Sequence, residues 1–251
     1  MSRVVSDGCG CFPTGRHYPG IAHLLKVTIR GLVAGFTNDV PWQEIDVALL
    51  DVETTGRDAS VDRVVEVGIV VGRRGEVVAR YNWLINPGMP IPAEVTAIHH
   101  ITNEMVADKP RFEAIAPEIA NALKGCVPAA YNAMFDRAFM MSEFSRAKSA
   151  RGGAEYTDVP ALTREVEWLD PLVWARDLQD NEKSRSLGDV AARLGVKLEN
   201  AHRAEDDAEA ALRVLYALGR DARIPRAYGA MVQEQRRLSQ KQADARRMWR
   251  S

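Results

Sequence analysis

Apolar positions change their spacing several times along this chain. Residues 45–51 (IDVALLD) form a short apolar run ending on an acid, as expected of a buried strand. Two β-branched runs follow, 63–71 (RVVEVGIVV) and 77–85 (VVARYNWLI), with Gly72 and Gly75 between them. That pattern predicts a hairpin. Residues 110–123 have helical apolar spacing, 127–131 read as another short strand, and 134–148 as a helix. A loop is expected around Gly152, Gly153 and Pro160, and a last strand at 168–170. Three further helices are predicted over 171–179, 187–194 and 204–218. Three consecutive strands, then alternating helices and strands, imply an α/β fold with a mixed central sheet flanked by helices.

The ends read differently. Residues 1–19 are rich in Gly, Ser and Pro, and disorder is expected there. Residues 21–36 predict a short amphipathic helix, and Asn38, Asp39 and Pro41 mark a boundary. The expected organisation is an N-terminal extension over 1–40, a main domain over 44–220 and a basic helical tail over 223–251. The chain has 251 residues and 46% hydrophobic content, enough for one well-buried core. Its formal net charge is −1, but residues 223–251 hold eight Lys or Arg against two acids. The tail therefore carries +6 and the remainder −7. An acidic body with a basic tail suits a polyanionic substrate. Taken alone, the tail reads as a solvated helix.

Cys9, Cys11 and Cys126 are too few and too scattered for a disulfide framework, which points to a reducing compartment. Cys9 and Cys11 lack the ligand spacing of a zinc site and read as incidental. No apolar stretch reaches a membrane span, since 21–36 is interrupted by Lys26 and Arg30. A cytoplasmic location is the expectation.

Candidate chemistry lies in three acidic segments. In Asp51-Val-Glu53-Thr54-Thr55-Gly56 the two acids are two residues apart. On a strand that spacing puts both carboxylates on one face. Neighbouring carboxylates repel unless cations neutralise them, and oxygen ligands suit magnesium or manganese. In Tyr131-Asn132-Ala133-Met134-Phe135-Asp136 a short strand enters a helix, with Asp136 in its first turn. In Ala201-His202-Arg203-Ala204-Glu205-Asp206-Asp207 a histidine precedes Asp207 by five residues at another helix start. An imidazole changes protonation near neutral pH and suits a general base. Each segment alone is no more than a strand end or an acidic helix start.

Their order carries more. Asp-x-Glu, then Asn-x-x-x-Asp, then His-x-x-x-x-Asp resembles the DEDDh exonuclease family, within the ribonuclease H-like fold. The resemblance runs from about Ile45 to Leu218 and includes its proofreading branch. Ile85-Asn86-Pro87, Ile98-His99-His100-Ile101-Thr102, Asp108-Lys109-Pro110, Asp170-Pro171-Leu172 and Leu194-Gly195-Val196 are similar to further family segments.

The resemblance implies a metal-dependent 3′→5′ exonuclease acting on single-stranded or frayed DNA and releasing nucleoside 5′-monophosphates. It implies two divalent cations, Mg2+ or Mn2+, on Asp51, Glu53, Asp136 and Asp207, and His202 as general base. Thr55, His99, Phe135 and Asn132 would contact the terminal nucleotide, and a DNA polymerase is an implied partner. Two positions depart from the family: His100, where glycine is frequent, and Tyr131, where some relatives have histidine. Two rival readings stand beside this one. One is an exoribonuclease using the same residues; the other is a silent fold that binds nucleic acid without turnover.

Overall fold

The computed structural model describes residues 30–150, 159–198 and 202–248. Residues 1–19 with Cys9 and Cys11, most of the helix expected over 21–36, and the loop at Gly152 and Gly153 lie outside the described residues.

Strands β1 (Val47–Thr54), β2 (Val64–Arg73) and β3 (Glu76–Leu84) pair antiparallel in sequence. The β2–β3 hairpin turns on Arg74 and Gly75, both at positive φ, as the twist of a two-residue turn requires. Helices α1 (Ala93–His99), α2 (Asn103–Val106) and α3 (Phe112–Leu123) lead to β4 (Val127–Ala130). β4 pairs parallel with β1, giving a mixed sheet of order β3-β2-β1-β4. Then follow α4 (Met134–Ala150), α5 (Pro171–Leu178), α6 (Leu187–Arg193), α7 (Ala204–Leu218) and α8 (Tyr228–Met248). The expected mixed sheet with flanking helices is present.

Alternation along β1 sends Val47 and Leu49 into one core and Ala48, Leu50 and Val52 into another. The first core meets α5 to α8; the second meets α3 and α4. Each such buried Val or Leu side chain contributes roughly 1.5–3 kcal/mol.

Four local expectations are corrected. The strand expected at 168–170 is a single bridge, Leu169 beside Ala129. Asp170 turns instead to cap α5, where Pro171 is the first helical residue. β1 continues past Asp51 as far as Thr54. The described part of 21–36 is a series of turns, because Gly31 and Gly35 take positive φ.

The fourth correction concerns the basic tail. Its helix is not solvated all round. Tyr228, Met231, Val232, Gln235 and Leu238 are buried at helical spacing, and the arginines occupy other faces. Val33 donates its N–H to the Tyr228 hydroxyl, so the start of the described chain packs beneath this helix. No described helix is long and apolar enough to cross a membrane.

Candidate active site

Period two along β1 places Asp51 and Glu53 on the face of Val47 and Leu49, the face that α7 covers. Asp51 lies opposite Gly68 and Glu53 opposite Glu66 on β2. Gly68 lets α7 come down onto the sheet, since a Cβ there would sit 2.2 Å from the Ala204 carbonyl carbon. Glu66 is fully buried and accepts the Ala204 N–H at 3.1 Å. The same carboxylate accepts from Arg203 Nη2 at 2.7 Å and Asn82 Nδ2 at 3.0 Å. With the first turn of α7 pinned, Asp207 and the preceding His202 arrive beside Glu53. One ligand atom from each of Glu53, His202 and Asp207 falls within 4.8 Å of the others. The His202 N–H donates to Asp207 Oδ2 at 3.0 Å, and its side chain is exposed.

Asp136 arrives from the opposite side. It is the third residue of α4, and its Oδ1 accepts the Val52 N–H at 3.1 Å. That bond fixes the carboxylate at the part of β1 between Asp51 and Glu53. The entry into α4 is itself held by Asp170, which accepts the N–H groups of Asn132, Ala133 and Leu172 at 3.0, 3.1 and 2.9 Å. Gln235 of α8 holds the same stretch, accepting the Asp170 N–H and donating to the Trp168 carbonyl, each at 2.9 Å.

The four carboxylates share one electrostatic condition. Burial first, then Asp136, Asp207, Glu53 and Glu66, holds Asp51 well above the usual carboxylate range. Burial and the charge of Asp207 push Glu53 up to about 8. Burial takes Asp136 to about 8, against the pull of the backbone N–H groups of Asp136 and Val52. Asp207 is raised by burial, opposed by the backbone of His202. Arg203 offsets only part of the effect on Glu53. A set of oxygen donors that holds protons because it is buried and short of positive charge fits divalent cations.

The other expected residues are spread around this centre. Thr55 is buried, and its Oγ1 accepts the Arg63 N–H at 3.0 Å. His99 is 2% exposed, with Nδ1 accepting the Ile101 N–H at 3.0 Å and Nε2 unpartnered among the described residues. Burial lowers its pKa. Phe135 is partly buried, 4.8 Å from the ring of Phe139. Asn132 is exposed at positive φ. Of the departures, His100 ends α1 in the left-handed region at φ 60°, the conformation that favours glycine. Tyr131 donates its hydroxyl to the Arg185 carbonyl at 2.7 Å. Glu66, Gly68 and Gln235 position the site and were not singled out from the sequence. The signal for the first two was a lone acid and a glycine inside an otherwise β-branched run.

The exonuclease family matches residues 48–215. The DNA polymerase III subunit epsilon of Treponema pallidum is 34% identical over 166 residues, covering 66% of this chain and 73% of that protein. The PolC-type DNA polymerase III of Streptococcus pneumoniae is 34% identical over 198 residues, which are 75% of this chain but 13% of that protein. Among solved structures, exonuclease X in complex with 5′ overhanging duplex DNA has a TM-score of 0.57 and 24% identity, over 75% of this chain and 99% of that one. Exonuclease I has a TM-score of 0.60 and 18% identity, over 72% of this chain and 42% of that one. These two likenesses show the ribonuclease H-like fold.

Proposed function

The chain belongs to the exonuclease family, and on that premise we propose that it is a 3′→5′ exonuclease that shortens DNA strands one nucleotide at a time. What supports this reading is that Glu53, His202 and Asp207 offer ligand atoms within 4.8 Å of one another, while Asp136 binds the Val52 N–H between Asp51 and Glu53 and its charge reaches Asp51.

The four carboxylates would hold two divalent cations, Mg2+ or Mn2+. Bound there, the cations supply Lewis-acid polarisation of the phosphodiester and of the attacking water. His202 accepts the proton of that water, and its exposed position leaves it free to pass the proton to solvent. Oxygen attacks the terminal phosphorus in line, the bond from phosphorus to the preceding 3′-oxygen breaks, and that oxygen takes up a proton. The product is a nucleoside 5′-monophosphate. Asp207 holds the His202 backbone and so keeps base and carboxylates in one geometry. Thr55, His99, Phe135 and Asn132 line the approach of the terminal nucleotide, Phe135 offering a ring for stacking.

DNA as substrate is supported by what is similar to this chain: the epsilon subunit of DNA polymerase III, a PolC-type DNA polymerase III, and a solved exonuclease in complex with DNA. The same relatives support a polymerase as partner, in proofreading or repair. The test is a panel of single-stranded DNA, mismatched duplex and RNA with Mg2+, Mn2+ or EDTA. Metal-dependent release of 5′-mononucleotides from DNA, abolished in Asp51→Ala, is the expected result. Turnover in EDTA, or undiminished turnover by Asp51→Ala, would sink the mechanism.

A further inference from the structure

A cleft of about 540 Å³ opens where α8 crosses the starts of α4 and α5. Asn132 and Met134 form its edge nearest Asp136, and Met134 is 84% exposed. Met134 precedes Asp136 by two residues on α4, about 3 Å of helix rise, with its side chain on a different face of the helix. Arg137, Arg176, Arg236 and Arg246 line the walls. The carboxylates lining it are Glu167 and Asp170, and both are committed. Glu167 pairs with Arg236 at 3.1 Å, and Asp170 accepts three backbone N–H groups. Arg137 donates to the Arg164 carbonyl at 2.7 Å.

Arg176 and Arg246 are left facing the same space, without a carboxylate bonded to either among the described residues. Burial, and next the charge of Arg246, depress the pKa of Arg176, and the nearby Asp170 carboxylate offsets part of that. Two guanidinium groups facing one cleft offer more positive charge than Asp170 alone balances, which favours an anion between them. The planar fork of arginine matches phosphate oxygens. The Arg246 wall belongs to α8, which lies wholly beyond residue 215, where the family match ends. This half of the cleft therefore lies outside the stretch that matches the family.

We propose that the cleft binds the sugar-phosphate backbone of the strand whose 3′ end is cleaved, Arg176 and Arg246 each meeting a phosphate upstream of the terminal nucleotide. The inference rests on the exonuclease reading. It makes the C-terminal helix a part of the substrate track, adding affinity for a longer strand without adding a group to the reaction centre.

The test is binding of a fluorescein-labelled oligothymidylate to the full chain in EDTA, across a KCl series. Each phosphate contact with a single strand contributes about 0.7 to the slope of log Kd against log salt. Arg176→Gln with Arg246→Gln should therefore lower the slope by about 1.4 and raise Kd roughly tenfold. Arg223→Gln, an exposed change beside Asp221, should leave both unchanged. Arg246→Gln alone, at an exposed position, should lower the slope by about 0.7 even if Arg176→Gln disturbs packing. A slope and Kd equal to wild type in both Arg246 variants overturn the proposal. Release of mononucleotides by the wild type in Mg2+ is followed on the same preparation. Its absence overturns the exonuclease reading, whereas an active wild type with an unchanged slope in the variants overturns the cleft alone.

Discussion

Glu66 of β2 accepts the backbone N–H of Ala204 at 3.1 Å, so a buried side chain of the sheet caps the helix that carries Asp207. Arg203, the residue at the cap position, makes no side-chain cap of its own and instead pairs with the same carboxylate. Glu66→Ala removes the cap and strands Arg203, which should cost about 3 kcal/mol or more by urea unfolding. The rate on single-stranded DNA should fall about tenfold as Asp207 and His202 lose their position, on the scale of other misplaced catalytic groups. Glu66→Gln keeps an acceptor for the Ala204 N–H and should recover part of both losses. An alanine variant that unfolds and turns over like wild type would remove Glu66 from the site's support.

Gly68 makes the same junction possible by absence. A methyl group there would meet Ala204 and the Glu205 nitrogen, at 2.2 to 2.3 Å, and all the atoms met are backbone. No rotamer change relieves that contact, so α7 must lift. Gly68→Ala should cost roughly 1–3 kcal/mol in overpacking. Mn2+ affinity, read by calorimetry, should drop along with it because Asp207 moves away from Glu53. Tight Mn2+ binding in this variant would show that the four carboxylates do not depend on the close approach.

Parts of this arrangement were legible in the chain and parts were not. Asp51 and Glu53 declare a shared face through their spacing, which is a local property of a strand. Asp136 and Asp207 declare only that each begins a helix; the order of the motifs, not local physics, united them with β1. Glu66 was hidden because its role depends on register, opposite Glu53, and on a helix more than 130 residues away. The buried face of α8 was hidden behind its charge. Its arginines dominate a composition reading, while five buried residues at helical spacing decide the packing. Asp170 was visible as part of a motif, but its duty as cap for the α4 entry appears only when Asn132 and Ala133 fold back onto it.

That buried face gives a prediction about where the folding unit ends. Gln235 satisfies two backbone groups, the Asp170 N–H and the Trp168 carbonyl, in a buried place. Gln235→Leu fills similar space and leaves both unsatisfied, at about 1–3 kcal/mol for each group. Deleting residues 228–251 also uncovers Val33 and Phe36, which pack on Tyr228. The truncated chain should lose cooperative melting by circular dichroism. If it melts as sharply and as hot as the full chain, the helix is an appendage after all.

His100 offers a change of the opposite sign. It closes α1 at φ 60° and ψ 14°, and its side chain is exposed. A non-glycine residue in that region carries roughly 1–2 kcal/mol of steric strain. His100→Gly relieves the strain but gives the unfolded chain more freedom, so the net gain should be smaller, at most about 1 kcal/mol. Differential scanning calorimetry should show a higher Tm. A lower Tm would mean that the imidazole holds contacts worth more than the strain.

The metal-free site should make the protein less stable as pH rises. Glu53 sits at about 8 against an ordinary 4.5, and Asp136 at about 8 against 3.8. Between those limits the folded chain holds protons that the unfolded chain has released. Stability then falls with pH, because the slope follows protons bound unfolded minus protons bound folded. The contribution is fully present below the unfolded values and lost as pH passes through about 8. Asp221, held at about 2 by Arg223, acts only below its ordinary 3.8 and leaves this window undisturbed. In EDTA, Tm should decline from pH 5 to pH 8. Saturating Mn2+ displaces the protons, so its stabilising increment should grow over the same interval. Glu53→Gln removes one titrating group and should flatten the EDTA series. Parallel fluorimetry series decide it: a metal increment independent of pH, with Glu53→Gln parallel to wild type, would mean that these carboxylates are not what the cation binds.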